Sequence, residues 1–361
     1  MRSITSEAIL QSQQRGLVSE LRGKTITIPN LANTLSRLSM GFSPQYDKLR
    51  RRINNKLDEI IKDDRIRAKI DKVDLPLFVS RWFPDSTIDA LEAMALYNLW
   101  LFVWDDVFDG EDELQNRPSD MEHMFDRTVT YVEYHLGLCD PSMPEPEAPT
   151  FATSLFQHAG ALLREQADVH QRLRFFKEVV VYIKSCAYEQ RIMDGGVLPT
   201  VQEYWAYRLG TSSVYTGCAL ADFMAGVRLP EKLFETDELR ALWTEVNRNV
   251  VLINDILSLK KEMHGSLHSL IPITMNDTGK GIEDSVNDIM DQIILSVQNL
   301  DTISKCLLTM VGDDSKDTSQ LVKYIELLQF NLTGNYSWSI ECGRYNLKDD
   351  VQKDGSILVQ L

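Results

Sequence analysis

Apolar residues recur at helical spacing along most of the chain. The segment YDKLRRRINNKLDEIIKDDRIRAKI (46–70) places them three and four positions apart, with charged residues between them. The segment STIDALEAMALYNLWLFVW (86–104) is apolar on nearly every side, which predicts a helix buried all round. Asp85 and Ser86, directly after Pro84, are its candidate N-caps.

Further helical patterns predict an all-α protein. No alternating Val, Ile or Thr run bounded by hairpin signals stands out as a strand. These further patterns cover residues 118–137, 151–166, 170–193, 201–226, 237–263, 281–311 and 317–345.

Two segments read as loops, and neither separates regions of different composition. They are CDPSMPEPEAPT (139–150), which contains four prolines, and VGDDSKDTSQ (311–320). The sequence therefore predicts one large helical bundle over residues 29–347. We expect an N-terminal arm over 1–28, either mobile or covering the helices, and a C-terminal tail over 348–361.

Composition narrows the class of protein. Hydrophobic residues make up 43% of the 361 residues, which is ample for a core, and the formal net charge is −15. This charge argues against nucleic acid and anionic membranes as partners. Without a secretory signal or a long apolar run, we expect no membrane span and a cytoplasmic protein, monomeric or homodimeric. The five cysteines are widely spaced and predict reduced thiols.

An acid cluster, LFVWDDVFDGEDE (101–113), ends the most apolar helix. Asp105 and Asp109 are four positions apart and share a helical face, whereas Asp106 lies about 100° round. Carboxylates spaced in this way can hold Mg²⁺, which prefers oxygen ligands. A solvated helix end is the alternative that the cluster alone leaves open.

A second polar motif, NDILSLKKE (254–262), favours the metal interpretation. Asn254, Ser258 and Glu262 are spaced at i, i+4 and i+8, and each four-residue step turns only about 40° round the helix. Their amide, hydroxyl and carboxylate oxygens form one narrow stripe that can chelate a cation.

The two motifs together resemble those of the class I terpene synthases of the microbial, single-domain type. DDVFD is similar to their aspartate-rich motif, and NDILSLKKE is similar to their NSE triad. Arg208, 46 positions before Asn254, matches their diphosphate-sensing arginine. The pair Arg344–Tyr345, with Trp338 six residues before the arginine, matches a further motif. The resemblance covers residues 30–347.

The resemblance implies a single α-helical bundle around an apolar central cavity. It implies three Mg²⁺ ions, with Asp105 as a ligand on one side and Asn254, Ser258 and Glu262 on the other. Asp109 is a candidate metal ligand or water-mediated partner, and Asp106 is expected to pair with Arg344 when the site closes.

The resemblance also assigns roles to residues outside the metal ligands. Arg208, Lys261, Arg344 and Tyr345 would bind diphosphate. Thr211 and Ser212 fall where the family has a helix break that presents a backbone carbonyl to the substrate, although they replace its usual Asp and Gly. Phe102 and Trp338 are candidate cavity-wall aromatics, because aromatic faces stabilise cationic carbon as they do ammonium.

The implied activity is that of a lyase that cyclises farnesyl diphosphate to a sesquiterpene. Geranylgeranyl diphosphate is the alternative substrate, since cavity depth sets the chain length. A chain-elongating prenyltransferase is disfavoured because it normally carries two aspartate-rich motifs. A non-catalytic helical interaction protein is the most distant alternative.

Overall fold

The computed structural model describes residues 4–109, 118–194, 197–263, 267–312 and 315–361, and at 4–12, 106–109, 118–122 and 315 the backbone alone. The helices run in this order: α1 (Ile4–Leu21), α2 (Leu31–Thr34), α3 (Tyr46–Ile60), α4 (Asp64–Val73), α5 (Leu75–Trp82), α6 (Ile88–Asp109), α7 (Pro118–His135), α8 (Phe151–Ser154), α9 (Phe156–Gln166), α10 (Val169–Asp194), α11 (Val201–Thr211), α12 (Val214–Ala219), α13 (Ala221–Met224), α14 (Asp237–Glu262), α15 (Leu270–Thr278), α16 (Ile282–Val311) and α17 (Ser315–Glu341).

Helix α6 runs through the core, as its apolar sequence predicts. Tyr97, Trp100 and Trp104 are almost fully buried and pack in tilted pairs, with ring centroids 5.7 Å apart at each step. The helix packs against α5 on one side and α9 on another. Its last turns therefore project from a rigid interior.

The start of α6 differs from the predicted N-caps Asp85 and Ser86. The helix begins at Ile88, and Thr87 Oγ1 accepts the hydrogen bond from the Ala90 N–H at 3.3 Å. Ser86 is buried and instead donates to the backbone carbonyl of Met224 at 2.7 Å. Because the Ser86 hydroxyl bonds a distant part of the chain, it does not cap α6, and Thr87 caps the helix instead.

Several predicted helices divide into shorter ones. The pattern over 46–70 forms α3 and α4, because Asp63 caps a new helix by accepting from the N–H groups of Arg65 and Ile66. The pattern over 201–226 forms α11, α12 and α13. The loop predicted at 139–150 is confirmed, whereas the one predicted at 311–320 is shorter, since α17 already begins at Ser315.

The two chain segments outside the helical bundle pair with each other. Strand β1 (Thr25–Ile28) and strand β2 (Ile357–Gln360) form a two-stranded antiparallel sheet. The prediction that strands are absent was wrong here, and TITI does alternate polar and apolar residues. The division of the chain at 28/29 and 347/348 stays a prediction, although both end segments contribute buried residues to the core.

Two further predictions bear on the chain as a whole. All five cysteines are free, so no disulfide forms. Within the described ranges, none of the helices combines the length and apolar character that crossing a bilayer requires.

Candidate active site

Helix α14 carries the stripe of Asn254, Ser258 and Glu262. Thr236 caps its start by accepting from the N–H of Leu239, and acidic residues occupy its first turn while lysines occupy its last. Both features stabilise the helix, the second because the charges oppose the helix dipole. The stripe lies in the final turns, and Ser258 is buried.

Two side chains of this stripe, those of Ser258 and Glu262, contact each other. Ser258 Oγ donates to Glu262 Oε1 at 2.5 Å. Glu262 Oε2 is buried and has no well-aligned hydrogen bond within the described part of the chain. Burial raises the pKa of Glu262 and the nearby Asp255 raises it further, while the hydroxyls of Ser258 and Ser269 act in the opposite direction. A buried carboxylate oxygen without a well-aligned donor is costly, so these residues fit a cation.

Arg208 on α11 reaches across to α14. Its Nη2 donates to Asn254 Oδ1 at 3.1 Å and lies 3.4 Å from Asp255 Oδ1. Its Nε donates to Tyr204 Oη at 2.9 Å. Burial opposes the charge on Arg208, but Tyr204 and Asp255 raise its pKa well above the ordinary value. The guanidinium is therefore permanently charged beside a candidate metal ligand.

Two residues that the sequence analysis did not single out hold Arg208 in place. Tyr204 donates its hydroxyl hydrogen to Asp255, and Asp255 Oδ2 also accepts from the backbone N–H of Leu270 at 2.9 Å. Asp255 thereby links α11, α14 and α15. Burial raises the pKa of Asp255, while the Arg208 guanidinium acts in the opposite direction. The i, i+4 spacing of Tyr204 and Arg208 was the available signal.

The Arg344–Tyr345 pair follows the end of α17. Tyr345 is buried, and its hydroxyl accepts from Asn254 Nδ2 at 2.8 Å. Asn254 is thus bonded on its oxygen by Arg208 and on its nitrogen by Tyr345. The structure brings three of the predicted site residues into one hydrogen-bonded chain.

An aromatic cluster connects Tyr345, the last residue of this hydrogen-bonded series, to the end of α6. Trp338 is fixed by the bond from its Nε1 to the Val73 carbonyl at 2.6 Å. Its ring centroid lies 6.2 Å from that of Phe102 and 5.6 Å from that of Tyr345. The Arg344 guanidinium lies 5.0 Å from the Phe102 ring centroid, within cation–π range. Asp105, one helical turn beyond Phe102, is exposed.

A helix break separates Arg208 from α12. Helix α11 ends at Thr211, and Ser213 takes a left-handed backbone conformation (φ 58°) before α12 begins at Val214. Ser212 Oγ donates to Asn247 Oδ1 at 2.7 Å, and Asn247 Nδ2 donates to the Leu209 carbonyl at 2.7 Å. The break therefore falls at the position of the predicted Thr211–Ser212 pair.

The candidate metal-ligand atoms on α14 belong to different chemical groups. Among the described residues no group of three or more His, Cys, Asp or Glu could hold a metal ion. The candidate centre on α14 uses one carboxylate with an amide and a hydroxyl, and such a set suits Mg²⁺ when substrate oxygens and water complete the coordination.

A protein-family model matches residues 97–298, more than half of the chain, and is described as terpene synthase family 2, C-terminal metal binding. The chain belongs to the terpene synthase family. The matched region contains α14, Arg208 and most of α6. The prediction of a terpene synthase is confirmed, and the family's description implies the use of a divalent metal.

Curated relatives resemble this terpene synthase over most of their length. The sesquiterpene cyclase hepA of Aspergillus oryzae is 27% identical over 357 residues, which cover 96% of each chain. Pristinol synthase of Streptomyces pristinaespiralis is 24% identical over 293 residues, 80% of this chain and 77% of that one.

A solved structure shares the fold. Germacradien-4-ol synthase from Streptomyces citricolor superposes with a TM-score of 0.68 at 14% identity, covering 84% of this chain and 96% of that chain. The prediction of an all-α terpene synthase fold is confirmed, whereas the apolar central cavity stays a prediction.

The remaining predicted site residues of this terpene synthase divide into two groups. The side chains of Asp106 and Asp109 lie outside the described residues. Lys261 is exposed in the last turn of α14, and its neighbour Lys260 forms an ion pair with Asp350 at 2.6 Å.

Proposed function

We propose that this terpene synthase ionises and cyclises farnesyl diphosphate with the help of three Mg²⁺ ions. The observation that carries the proposal is the bonding of Asn254, a candidate metal ligand, between Arg208 and Tyr345, two candidate diphosphate donors. A metal ligand flanked by phosphate donors suits a diphosphate and its counterions.

The reaction requires stabilisation of the negative charge that develops on the leaving diphosphate. The C–O bond breaks heterolytically, its electron pair leaves with the diphosphate, and an allylic cation remains. Bound Mg²⁺ would supply charge stabilisation on the leaving oxygens. Mg²⁺ would be held on one side of the site by Asp105, with Asp109 as a further candidate. On the other side it would be held by Asn254, Ser258 and Glu262.

The chain's own donors would orient the diphosphate. Arg208 and Arg344 suit bidentate contacts to phosphate oxygens, whereas Lys261 acts as a point charge. Tyr345 can donate its hydroxyl hydrogen, since its oxygen already accepts from Asn254. Asp106 would pair with Arg344 on closure.

The cation then needs walls that do not capture it. We assign this role to Phe102 and Trp338, whose rings lie in one cluster. Thr211 and Ser212 would link Arg208 to the helix break and present a backbone carbonyl to the substrate. Loss of a proton would end the cascade as a hydrocarbon, and addition of water would end it as an alcohol.

Farnesyl diphosphate is favoured because a relative that aligns with 96% of this chain is named a sesquiterpene cyclase. Geranylgeranyl diphosphate is the alternative. A cytoplasmic location and a monomeric or homodimeric state stay predictions.

Incubation with Mg²⁺ and geranyl, farnesyl or geranylgeranyl diphosphate, followed by mass spectrometry, tests the proposal. We expect cyclic C15 products from farnesyl diphosphate, and none from the Asp105→Ala and Asn254→Ala variants. Linear alcohols alone with all three substrates would refute cyclisation, and condensation with isopentenyl diphosphate would identify a prenyltransferase.

A further inference from the structure

The two ends of the chain are tied together by a small sheet. Strand β1 pairs with β2 so that Ile26 lies opposite Val359 and Ile28 lies opposite Ile357. These four side chains are buried in the core, while the alternate residues face outward. An apolar face of this kind fixes the register of the strands.

The turn that leads into β2 is held from the N-terminal side. Asn30 Oδ1 accepts from the Asn33 N–H at 3.1 Å and caps α2, while Asn30 Nδ2 donates to the Asp354 carbonyl at 2.6 Å. Gly355 takes φ 81°, and a Cβ there would lie 2.2 Å from Asn30 Nδ2. We call strands β1 and β2 and the turn 351–356 the terminal clasp.

The terminal clasp is connected to the candidate active site from two directions. Asp350, at its edge, pairs with Lys260 in the last turn of α14, two residues before Glu262. Both side chains are largely shielded, with exposed fractions of 28% for Lys260 and 22% for Asp350. In the other direction, the chain runs back from Asp350 through the fully buried Leu347 to Tyr345.

The stretch between α17 and the clasp needs such an anchor. Helix α17 ends at Glu341, so Arg344 and Tyr345 lie outside any helix. Asn346 directly after them has a left-handed backbone (φ 54°). A donor on an irregular segment binds its ligand well only if the segment is already ordered, because ordering it on binding costs entropy.

We propose that the terminal clasp, through Asp350, positions the Arg344–Tyr345 turn against α14, making Asp350 a positioning residue for diphosphate. This inference rests on the proposed function of the site. It gives the two end segments a shared role in substrate binding, at a distance from the reacting atoms.

The size of the effect follows from the kind of contact. An exposed ion pair contributes little, but this pair is partly buried, and it joins the end of α14 to the segment that carries Arg344 and Tyr345. We expect its loss to weaken diphosphate binding about three- to fivefold, with little change in the rate of ionisation once substrate is bound.

Asp350→Ala is the test variant. Calorimetric titration of the full chain with inorganic diphosphate in Mg²⁺ should give about three- to fivefold weaker binding. Hydrogen exchange without ligand should speed up at the amides of residues 343–347. With farnesyl diphosphate, KM should rise while kcat stays within about twofold. Asp350→Glu should restore most of the affinity.

Asp288→Ala is the matched control, because it removes another lysine–aspartate pair, Lys280–Asp288, which has no connection to the Arg344–Tyr345 turn in sequence. It should leave binding and exchange unchanged. Ile357→Ala, which loosens the strand pair itself, should repeat the direction of Asp350→Ala.

The outcomes separate the two proposals. Unchanged diphosphate affinity and exchange in both Asp350→Ala and Ile357→Ala, with a wild-type protein that binds diphosphate, would overturn the clasp alone. A wild-type protein that binds no diphosphate in Mg²⁺ would overturn the proposed function first.

Discussion

A single buried hydroxyl, that of Tyr204, joins the charge of Arg208 to the carboxylate of Asp255. Tyr204→Phe removes both bonds without removing the ring. Hydrogen bonds to charged groups contribute about 1.5–3 kcal/mol, and Arg208 keeps its contact with Asn254. We expect kcat/KM for farnesyl diphosphate to fall about tenfold, measured by steady-state product formation.

Tyr207→Phe provides the control for this prediction. Tyr207 lies on the same helix and is buried to the same degree, but its hydroxyl has no hydrogen-bond partner within the described ranges. We expect kcat/KM close to that of the wild type. Equal losses in the two variants would mean that the bonds to Arg208 do not matter.

At the scale of residues, the sequence reached those whose chemistry shows in spacing along one helix. Asn254, Ser258 and Glu262 are such a set, because a period of about 3.6 residues brings them to one face. The spacing of Tyr204 and Arg208 shows that they can meet on α11, whereas the bonds of both residues to Asp255 run between helices. No spacing within one segment encodes which helices meet. Their roles needed the packing of α11 against α14 and α15.

The break between α11 and α12 depends on a residue of another helix. Asn247 on α14 is fully buried, and its side chain bonds both Ser212 and the Leu209 carbonyl, one of the acceptors that a helix end leaves unpaired. Asn247→Leu keeps the approximate volume and removes both of these bonds, although the Ser212 hydroxyl can still donate to the Leu209 carbonyl at 3.0 Å. We expect the free energy of unfolding to fall by about 2 kcal/mol, measured by urea denaturation.

Asn249→Leu is the matched substitution two residues further along α14. Asn249 is equally buried, but its Nδ2 makes one long bond, 3.4 Å, to the Ile293 carbonyl. Its loss should cost less than about 1 kcal/mol. A cost as large as that of Asn247→Leu would show that burial of an amide, rather than support of the break, sets the stability.

Element boundaries were the part of the fold that the sequence predicted least well. The helical periodicity over 201–226 continues through the break. Ser212 and Ser213 do not interrupt it, because serine is small and compatible with a helix. What ends α11 is a set of bonds to Asn247 and, through the Ser213 hydroxyl, to Tyr97. The presence of a helix can be predicted from hydrophobic periodicity, whereas the residues at which it ends depend on contacts with other helices.

For the whole molecule, the strongest constraint is charge. A chain with a formal charge of −15 repels an anionic diphosphate unless cations gather at the site. In the proposed site Arg208 and Arg344 would supply two, and the divalent metal that the family's description implies would supply more. Diphosphate and Mg²⁺ should therefore bind together or hardly at all.

This joint requirement gives a thermal prediction. Mg²⁺ with inorganic diphosphate at about 100 times its Kd should stabilise the folded chain by about 2.7 kcal/mol, raising Tm by roughly 3–6 °C. Mg²⁺ alone, diphosphate alone, or both with excess EDTA should leave Tm nearly unchanged, as should the pair added to Asn254→Ala. Equal stabilisation by diphosphate with and without EDTA would show that the arginines and lysines bind the anion unaided. Each Tm shift is measured against the ligand-free Tm of the same protein. The comparison of wild type with Asn254→Ala therefore separates ligand binding from any effect of the substitution on stability.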